Sequence, residues 1–307
     1  MSDASKGLTW LVLGANGQVG RQLGRALQPL GKGRALLRDE CDLAHPGEAA
    51  RVVREHSPAV VVNAAAYTAV DRAEEEPELA ERLNSGAVAE LAEACSASGA
   101  VLVHYSTDYV FDGHGSRPSL PEDSPAPLSV YGRTKLAGEQ AIQASGVRSM
   151  ILRTSWVYGA AGHNFVNTML RLARERDCLR VVSDQVGAPT WAATIADSTA
   201  LILHDWARQG FAAELGGIHH LCSRGATSWH GFAEAIFEEA VRNGLLDAKQ
   251  RPDVQAIPSS DYPQKAPRPL DSRLDVCSLE TAFALRLPHW RDALRQCLRE
   301  YPGQALQ

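Results

Sequence analysis

A short apolar run near the N-terminus ends in a glycine-rich turn, and this pattern is compatible with few folds. Residues 8–13 (LTWLVL) are typical of a buried strand, and the segment GANGQVG (14–20) follows directly. Apolar residues at helical spacing then indicate a helix: Val19, Leu23, Ala26, Leu27 and Leu30. A strand that passes through glycines into a helix is the first unit of a dinucleotide-binding βαβ fold.

The alternation of strands and helices continues along the N-terminal half. The sequence predicts strands at 34–38, 59–63, 100–106 and 147–153, and helices at 46–56, 77–98 and 131–145. Strands separated by helices form parallel sheets, and parallel strands are apolar on both faces. The predicted fold class is therefore α/β, a doubly wound parallel sheet of Rossmann type.

The C-terminal half is less regular and predicts a second, smaller region. Helical patterns occur at 164–176, 192–208, 228–243 and 289–300, and strand-like pieces at 179–182 and 217–222. The proline-rich stretch 252–275 predicts a loop. We expect a dinucleotide-binding domain at 1–158 with returning segments near 183–222, and a mostly substrate-binding region at 159–307.

Composition narrows the partners and the compartment. The chain has 307 residues with 31 Lys+Arg against 36 Asp+Glu, a net charge of −5, which does not favour nucleic-acid binding. It has no apolar run of the ~18 residues that span a membrane, and the N-terminal MSDASKG lacks the apolar part of a secretory signal. Six scattered cysteines without a CxxC pair predict reduced thiols in a cytoplasmic protein.

The glycines of the turn indicate a phosphate site. Gly14, Gly17 and Gly20 let the backbone turn sharply and approach a pyrophosphate, which the N–H groups of the following helix attract. The GxxGxxG spacing is typical of short-chain and extended short-chain dehydrogenases. The turn therefore predicts a bound nicotinamide dinucleotide.

The end of the second predicted strand bears on which nicotinamide dinucleotide binds. Arg38 would accept a 2′-phosphate, whereas Asp39 would accept a hydrogen bond from a ribose 2′-hydroxyl. The sequence slightly favours NADPH and leaves NADH open. Asp42 and Leu43 follow at a position where such proteins cover the adenine.

Tyr131 and Lys135 lie four residues apart in YGRTK, which places them on one face of a helix. An ammonium beside a phenol stabilises the phenolate, so the tyrosine can act as a general acid or base toward an alcohol or ketone oxygen. Ser106 and Thr107 follow the fourth predicted strand at the edge where a ligand binds. Together with the glycine turn, these residues predict a catalytic site.

Several segments, in order, resemble the dTDP-4-dehydrorhamnose reductases, a family of extended short-chain dehydrogenases. They are GANGQVG, NAAAYTAVDRAE (63–74), YSTDYVFDG (105–113), YGRTKLAGE (131–139), RTSWVYG (153–159) and DQVGAPT (184–190). The resemblance extends to about residue 300. It implies reduction of the 4-keto group of a dTDP-sugar, dTDP-4-dehydro-L-rhamnose, by NADPH or NADH.

The resemblance also implies a role for individual residues. Tyr131 would donate the proton, Lys135 would be its electrostatic partner, and Thr107 would bind the C4 oxygen. Besides Tyr131, Lys135, Arg38, Asp42 and Leu43, the implied cofactor-binding residues are Gly14, Asn16, Gly17, Gln18, Val19, Gly20, Ala66, Tyr67, Thr68 and Tyr105. The implied substrate-binding residues are Thr107, Asp108, Trp156, Asn164 and Arg268.

One family property is not favoured by this sequence. Some relatives are described as magnesium-dependent dimers whose metal is held by glutamates, and this chain has Arg21-Gln22, Ala192-Ala193 and Arg291-Asp292 where those would be expected. Mg²⁺ takes oxygen ligands, and only Asp292 offers a carboxylate. We therefore expect no metal site, and a monomer or weak homodimer.

Two other functions are compatible with these motifs. One is another sugar-nucleotide reductase or epimerase, and the other is a non-catalytic NADP-binding regulatory subunit. Dehydratases of this fold often carry Asp-Glu after the strand-end threonine, whereas Asp108-Tyr109 follows Thr107 here, which argues against elimination. The presence of Thr107, Tyr131 and Lys135 together favours an enzyme over a binding subunit.

Overall fold

The computed structural model describes residues 7–301. The outermost residues of both predicted regions, 1–6 and 302–307, lie outside the described residues, as does most of the segment MSDASKG. Within 7–301 the strands are β1 Leu8–Leu13, β2 Gly31–Leu36, β3 Val60–Asn63, β4 Val101–Thr107, β5 Ser149–Thr154, β6 Val157–Tyr158, β7 Cys178–Val182, β8 Val186–Gly187, β9 Thr190–Trp191, β10 Gly217–His220, β11 Thr227–Ser228 and β12 Asp253–Ile257.

The helices alternate with these strands through the N-terminal half and dominate the C-terminal half. They are α1 Gln18–Ala26, α2 Glu48–His56, α3 Val70–Ala73, α4 Pro77–Glu81, α5 Ala87–Ser98, α6 Val130–Ala144, α7 Phe165–Leu172, α8 Ala192–Arg208, α9 Trp229–Arg242, α10 Cys277–Ala282 and α11 Trp290–Arg299.

Six parallel strands form the central sheet in the order β10-β5-β4-β3-β1-β2. The predicted α/β class with a parallel sheet is confirmed. Strand β1 has β2 on one side and β3 on the other, so the chain reverses direction across the sheet at β1. In open parallel sheets, ligands bind beyond the carboxyl ends of the strands at such a reversal. The glycine turn after β1 lies at this point.

Each face of the sheet is covered by its own layer of helices. Because successive side chains of a strand point to opposite faces, Val12 and Val62 pack with α1 and α8, whereas Leu11 and Val61 pack with α2 and α5. Burial on both faces accounts for the continuous apolar runs that predicted the strands.

The C-terminal region has a separate core between α7, α9 and α11. It contains an aromatic cluster in which Phe232 contacts Tyr158, Phe165 and Trp290. The parallel pair β7–β12 lies beside α9. This core lies apart from the two layers that cover the sheet.

Three local predictions were wrong. The predicted loop 252–275 contains β12, whose burial does not alternate and therefore gives no strand signal. The predicted strand 34–38 is β2, which begins at Gly31; a Cβ on Gly33 would lie 2.1 Å from the Trp10 ring, so the indole occupies the place of a side chain. The predicted helix 77–98 is divided by a π-helical turn at Arg82–Gly86.

The described residues include no helix that is both long and apolar enough to cross a bilayer.

Two glycines of α1 give a matched test of the turn. A Cβ on Gly20 would lie 2.1 Å from the Gly14 carbonyl oxygen, whereas a Cβ on Gly24 would approach no atom closer than 3.4 Å. We expect Gly20→Ala to lower the free energy of unfolding in urea by about 1–3 kcal/mol through overpacking. Gly24→Ala is the control and should be neutral or stabilising by up to about 1 kcal/mol. Equal effects of the two substitutions would contradict this packing.

Candidate active site

The glycine turn leaves the N-terminus of α1 open to a ligand. Gly14 has a φ of +80°, and a Cβ there would lie 2.7 Å from the backbone nitrogen of Ala65. Gly17 is the N-cap of α1, and among residues 7–301 no side chain accepts a hydrogen bond from the backbone of the first turn. The unpaired N–H groups and the positive end of the helix dipole therefore face outward, an arrangement suited to a pyrophosphate.

A cleft of about 670 Å³ lies beside this turn at the end of β2. The Arg38 Nε atom lies 3.4 Å from Asp42 Oδ1, and the arginine side chain is 67% exposed. The backbone N–H of Ala44 donates to Asp42 and lowers the pKa of that carboxyl. Leu43 is buried behind the cleft. The residues that line the cleft are Asn16, Leu37, Arg38, Asp39, Asp42, His45 and Glu48.

The segment after β3 is held by Asn84, which lies in the π-helical turn. The Asn84 amide accepts a hydrogen bond from the Tyr67 backbone N–H at 2.8 Å and donates to the Tyr67 carbonyl and to Thr134 Oγ1, each at 3.1 Å. The Tyr67 hydroxyl donates to Glu76 Oε2 at 2.5 Å. Ala66 is half-buried and Thr68 is exposed. Asn84 was missed by the sequence analysis because helical periodicity does not reveal a π turn, a feature frequent at functional sites.

Helix α6 carries the predicted tyrosine–lysine pair. Its N-terminus is capped by Ser129, whose hydroxyl accepts from the Gly132 N–H at 3.1 Å, and by Glu74, which accepts from the Val130 N–H at 2.8 Å. Tyr131 and Lys135 lie one helical turn apart, as the spacing predicted.

Glu139 continues the face of α6 that carries this pair by one more turn and forms a buried ion pair with Arg153 of β5. The two side chains are each 1% exposed, with N–O distances of 2.7 and 3.0 Å. The Arg153 guanidinium also donates to the Pro121 carbonyl at 3.2 Å and lies 5.0 Å from the centre of the Phe111 ring. The pair ties α6 to β5. The four-residue spacing from Lys135 was a signal that could have revealed Glu139.

Thr107 and Asp108 lie at the carboxyl end of β4 and are both buried. The Thr107 hydroxyl donates to Asp108 Oδ1 at 3.0 Å and accepts from the Tyr109 N–H at 3.2 Å. Burial raises the pKa of Asp108 to about 6, although Ser272 and Thr107 act to lower it. Burial also raises the pKa of Tyr131 to about 12, while neighbouring Thr107 lowers it. The Tyr131 phenol is therefore protonated at neutral pH, as a proton donor must be.

Lys135 is 1% exposed, and its Nζ atom donates to the Tyr105 carbonyl at 2.7 Å. Nζ also lies 3.0 Å from Nε2 of His104, whose Nδ1 lies 3.1 Å from the amide nitrogen of Asn63. Burial lowers the pKa of Lys135 to about 8, and Glu139 acts in the opposite direction. The sequence analysis missed His104 and Asn63. Their signal was a polar residue inside or at the end of an otherwise apolar strand.

The Tyr105 side chain points away from Lys135. Its hydroxyl lies 2.7 Å from Thr199 Oγ1 of α8, on the opposite face of the sheet. Tyr105 contributes its backbone carbonyl to the lysine, and its predicted contact with the cofactor stays a prediction.

A second cleft, of about 680 Å³, lies between the C-terminal helices and the loop after β12. Trp229, at the start of α9, lines it and stacks on Trp156 with ring centroids 3.6 Å apart and an interplanar angle of 6°. Trp156 has a φ of +47°, a conformation that a bulky residue adopts only when its surroundings hold it. One face of the Trp156 ring is thus covered by Trp229, a residue that the sequence analysis did not single out.

Arg268 lines the same cleft and connects the loop after β12 to Asp71 of α3. It donates to Asp71 Oδ2 at 2.7 Å and to Gln264 Oε1 at 2.8 Å. Asp71 Oδ1 also accepts the backbone N–H groups of Lys265 and Ala266. The guanidinium is therefore oriented by protein contacts.

Asn164 caps α7, where its Oδ1 accepts from the Asn167 N–H at 3.0 Å. Its amide nitrogen donates to Gln18 Oε1 at 3.0 Å and to the Gly159 carbonyl at 2.8 Å. Both amide atoms have protein partners, and the residue connects α7 to the glycine turn. Its predicted contact with the nucleotide diphosphate stays a prediction.

Over residues 7–301, no cluster of three or more His, Cys, Asp or Glu side chains could hold a metal ion. The six cysteines are free thiols.

The fold and this arrangement of Thr107, Tyr131 and Lys135 define an α/β reductase of the extended short-chain dehydrogenase type. The chain belongs to the RmlD substrate binding domain family, whose sequence model matches residues 8–302. It is 48% identical to the dTDP-4-dehydrorhamnose reductase of Burkholderia thailandensis over 96% of this chain and 99% of the relative. It is 47% identical to the enzyme of that name from Shigella flexneri, over 94% of this chain and 97% of the relative.

A solved structure shares the same architecture. The dTDP-4-dehydrorhamnose reductase of Bacillus anthracis in complex with NADP superposes with a TM-score of 0.86 and is 33% identical in sequence. The match covers 96% of this chain and 99% of that one.

Removing only one partner of the Arg153–Glu139 ion pair should strongly lower the free energy of unfolding. Arg153→Met leaves the Glu139 carboxylate buried without its partner, and we expect a loss of about 3–5 kcal/mol in the free energy of unfolding. The double variant Glu139→Leu/Arg153→Met removes both charges and should recover most of that loss in urea denaturation. A double variant as unstable as Arg153→Met would contradict this account.

Asp108 should make stability depend on pH. Its folded pKa of about 6 exceeds the ordinary 3.8, so the folded state binds the proton more tightly and is penalised where Asp108 is ionised. We expect Asp108→Asn to raise the free energy of unfolding at pH 8 by up to about 3 kcal/mol. The gain should shrink as the pH falls through 6 and vanish near pH 4. A gain that is constant between pH 4 and pH 8 would contradict the raised pKa.

Proposed function

We propose that this protein reduces the 4-keto group of dTDP-4-dehydro-L-rhamnose to give dTDP-L-rhamnose, the last step of dTDP-rhamnose biosynthesis, with NADPH as the preferred reductant. The observation that carries the proposal is the convergence of Thr107, Tyr131 and Lys135 at the carboxyl edge of the sheet, beside an uncapped glycine-turn helix. The names of relatives 47–48% identical over nearly the full length support it.

The residues present fit a nicotinamide dinucleotide. The uncapped N-terminus of α1 suits the pyrophosphate, and exposed Arg38 suits a 2′-phosphate. The NADP in the Bacillus anthracis structure supports the same choice. When bound, the reduced nicotinamide supplies the hydride. The residues proposed to contact the cofactor are Gly14, Asn16, Gly17, Gln18, Val19, Gly20, Arg38, Asp42, Leu43, Ala66, Tyr67, Thr68, Tyr105, Tyr131 and Lys135.

Tyr131 is the proposed proton donor to the C4 oxygen. Its phenol is protonated at neutral pH, and the phenolate left after donation is stabilised by the Lys135 ammonium one helical turn away. The Thr107 hydroxyl donates its hydrogen to Asp108 Oδ1. For Thr107 to donate to the C4 oxygen, that hydrogen turns from the carboxylate to the substrate. Asp108 then becomes free to accept from another group.

The substrate is proposed to lie between the catalytic residues and the second cleft. Trp156 stacks on Trp229, packs closely against Gly187 and is half-buried, so it is proposed to offer the apolar deoxyhexose the exposed part of its ring. Arg268 lines the cleft in a fixed orientation and can meet the diphosphate through N–H groups not used by Asp71. Asn164 is proposed to contact the diphosphate from its position beside Gln18 of the glycine turn.

We also propose that two regions of the chain bind the two ligands. Residues 1–158, with segments near 183–222, bind the dinucleotide, and most of 159–307 binds the sugar nucleotide. The pairing of β10 with β5 and the packing of α8 on α1 support the return of the later segments. We propose a cytoplasmic monomer or weak homodimer without nucleic-acid or membrane partners. The acidic net charge argues against nucleic-acid binding, and the free cysteines are typical of a cytoplasmic protein.

The proposal is tested by oxidation of NADPH and NADH at 340 nm with dTDP-4-dehydro-L-rhamnose. Tyr131→Phe keeps the ring and removes the proton donor, so turnover should fall by about 10²-fold or more. Cofactor binding, measured by fluorescence titration, should change little.

Tyr158→Phe is the matched control. Tyr158 is buried in the C-terminal core, and its hydroxyl has no hydrogen-bond partner among residues 7–301. This variant should turn over at the wild-type rate. Cofactor binding without turnover by the wild-type protein would contradict the reductase and favour a non-catalytic regulatory subunit.

A further inference from the structure

Lys135 is the end of a buried chain of hydrogen-bonding groups that also includes His104, Asn63 and the backbone of Ala65. The Nζ–Nε2 distance is 3.0 Å, the distance from His104 Nδ1 to the Asn63 amide nitrogen is 3.1 Å, and the Ala65 N–H donates to Asn63 Oδ1 at 3.1 Å. The three side chains are 0–1% exposed. Asn63 and His104 are direct partners in the β3–β4 register, which brings them together.

The Ala65 N–H sets the direction of every hydrogen bond in this chain of groups. A backbone N–H can only donate, so the Asn63 oxygen faces it and the amide nitrogen faces His104. An amide nitrogen also only donates, so Nδ1 of His104 must accept. The single proton of the neutral ring is then on Nε2 and points at Lys135. Nζ can accept it only as a neutral amine.

The ammonium form of Lys135 requires the opposite arrangement. Its N–H would donate to Nε2, which moves the ring proton to Nδ1, opposite the Asn63 amide nitrogen. If the amide rotated to accept that proton, its nitrogen would face the Ala65 N–H. In each case two donors meet at side chains that are almost closed to solvent, and the cost is comparable to that of an unsatisfied buried polar group.

We propose that Asn63, acting through His104, is a positioning residue that weakens the hold of Lys135 on its third proton and so sets the pH above which the reductase loses its ammonium. This inference rests on the proposed function only for its consequence for the rate. The arrangement of protons that it assigns to the three side chains holds whether or not the protein turns over.

The other charged and titratable groups around Lys135 do not account for the same effect. Glu139, one turn along α6, favours the ammonium but is neutralised by Arg153 of β5. Tyr131 on α6 is a neutral phenol below about pH 12. Asp108, beyond β4, is ionised above its pKa of about 6, and the Glu74 carboxylate accepts from the Val130 N–H at the N-terminus of α6. Negative charge at either place favours the ammonium.

The pKa values of Lys135 and His104 are both lowered, which agrees with this arrangement of protons. Burial lowers the pKa of Lys135 to about 8, and burial together with Lys135 keeps the pKa of His104 well below its ordinary value. His104 therefore stays neutral and carries one ring proton. Because the phenolate of Tyr131 needs the ammonium, the rate should fall as Lys135 loses its proton. The alkaline limb of kcat/KM then reports Lys135.

Asn63→Asp reverses the direction of the hydrogen bonds from residue 63 through His104 to Lys135, and it keeps the shape of the side chain. One carboxylate oxygen still accepts from the Ala65 N–H. The other oxygen takes the place of the amide nitrogen, so that an acceptor now lies opposite His104 Nδ1. The ring proton then moves to Nδ1, and Nε2 accepts from the Lys135 ammonium. We expect the alkaline limb of kcat/KM for NADPH-dependent reduction to move upward by about one pH unit or more.

The double variant Asn63→Asp/His104→Leu separates the hydrogen-bond effect from the added charge. It keeps the carboxylate but removes the ring that transmits the change. Compared with His104→Leu alone, the shift caused by Asn63→Asp should fall to less than half of its value beside an intact His104. If Asn63→Asp shifts the alkaline limb equally with and without His104, the added charge alone explains the shift, and the proposal is overturned.

A second readout does not depend on activity. Long-range ¹H–¹⁵N NMR spectra of the ¹⁵N-histidine-labelled protein with NADP⁺ bound report which ring nitrogen carries the proton, and His104→Leu assigns the signal among the 10 histidines. At pH 9 we expect the proton on Nε2 in the wild type and on Nδ1 in Asn63→Asp. A wild-type proton on Nδ1 would overturn the proposal even if the variant does not fold. The same spectra decide the matter if no turnover is found.

Discussion

The parallel pairing of β1, β3 and β4 is the constraint on which the site depends. Their register places Leu13, Asn63 and His104 in one row across the sheet, and Thr107 follows at the carboxyl end of β4, on the edge that α6 approaches with Tyr131 and Lys135. A slip of one residue would turn His104 to the opposite face, away from α6. The glycine turn and the tyrosine–lysine helix can serve one ligand only because the sheet holds both at the same edge.

Buried charge is the cost of this arrangement, and the structure offsets it by pairing. Lys135, Glu139, Arg153 and Asp108 are all nearly inaccessible to water, and burial shifts the pKa of both Lys135 and Asp108 toward the neutral form. Glu139 and Arg153 neutralise each other, whereas Lys135 relies on a backbone carbonyl and a neutral imidazole. The stable ion pair thus lies next to groups whose protonation can change near neutral pH, which suits a site that transfers a proton.

The class of fold and most of the elements could be predicted because buried parallel strands and amphipathic helices leave strong periodic signals. The failures share one cause, namely a tertiary contact that replaces a local preference. Gly33 lies in a strand because the Trp10 ring covers it, and β12 exists because β7 provides a partner. The π turn that points Asn84 at Tyr67 likewise has no periodic signature.

Local chemistry could be inferred from the sequence alone: a glycine turn suited to phosphate follows an apolar strand, and Tyr131 lies one helical turn from Lys135. These follow from neighbours along the chain, whose geometry a strand or a helix sets. Other contacts become visible only in the folded chain: Trp229 covers one face of Trp156, Asp71 holds Arg268, and His104 joins Asn63 to Lys135. Such contacts join residues far apart in sequence, and their distances depend on how the sheet, the helices and the C-terminal region pack together.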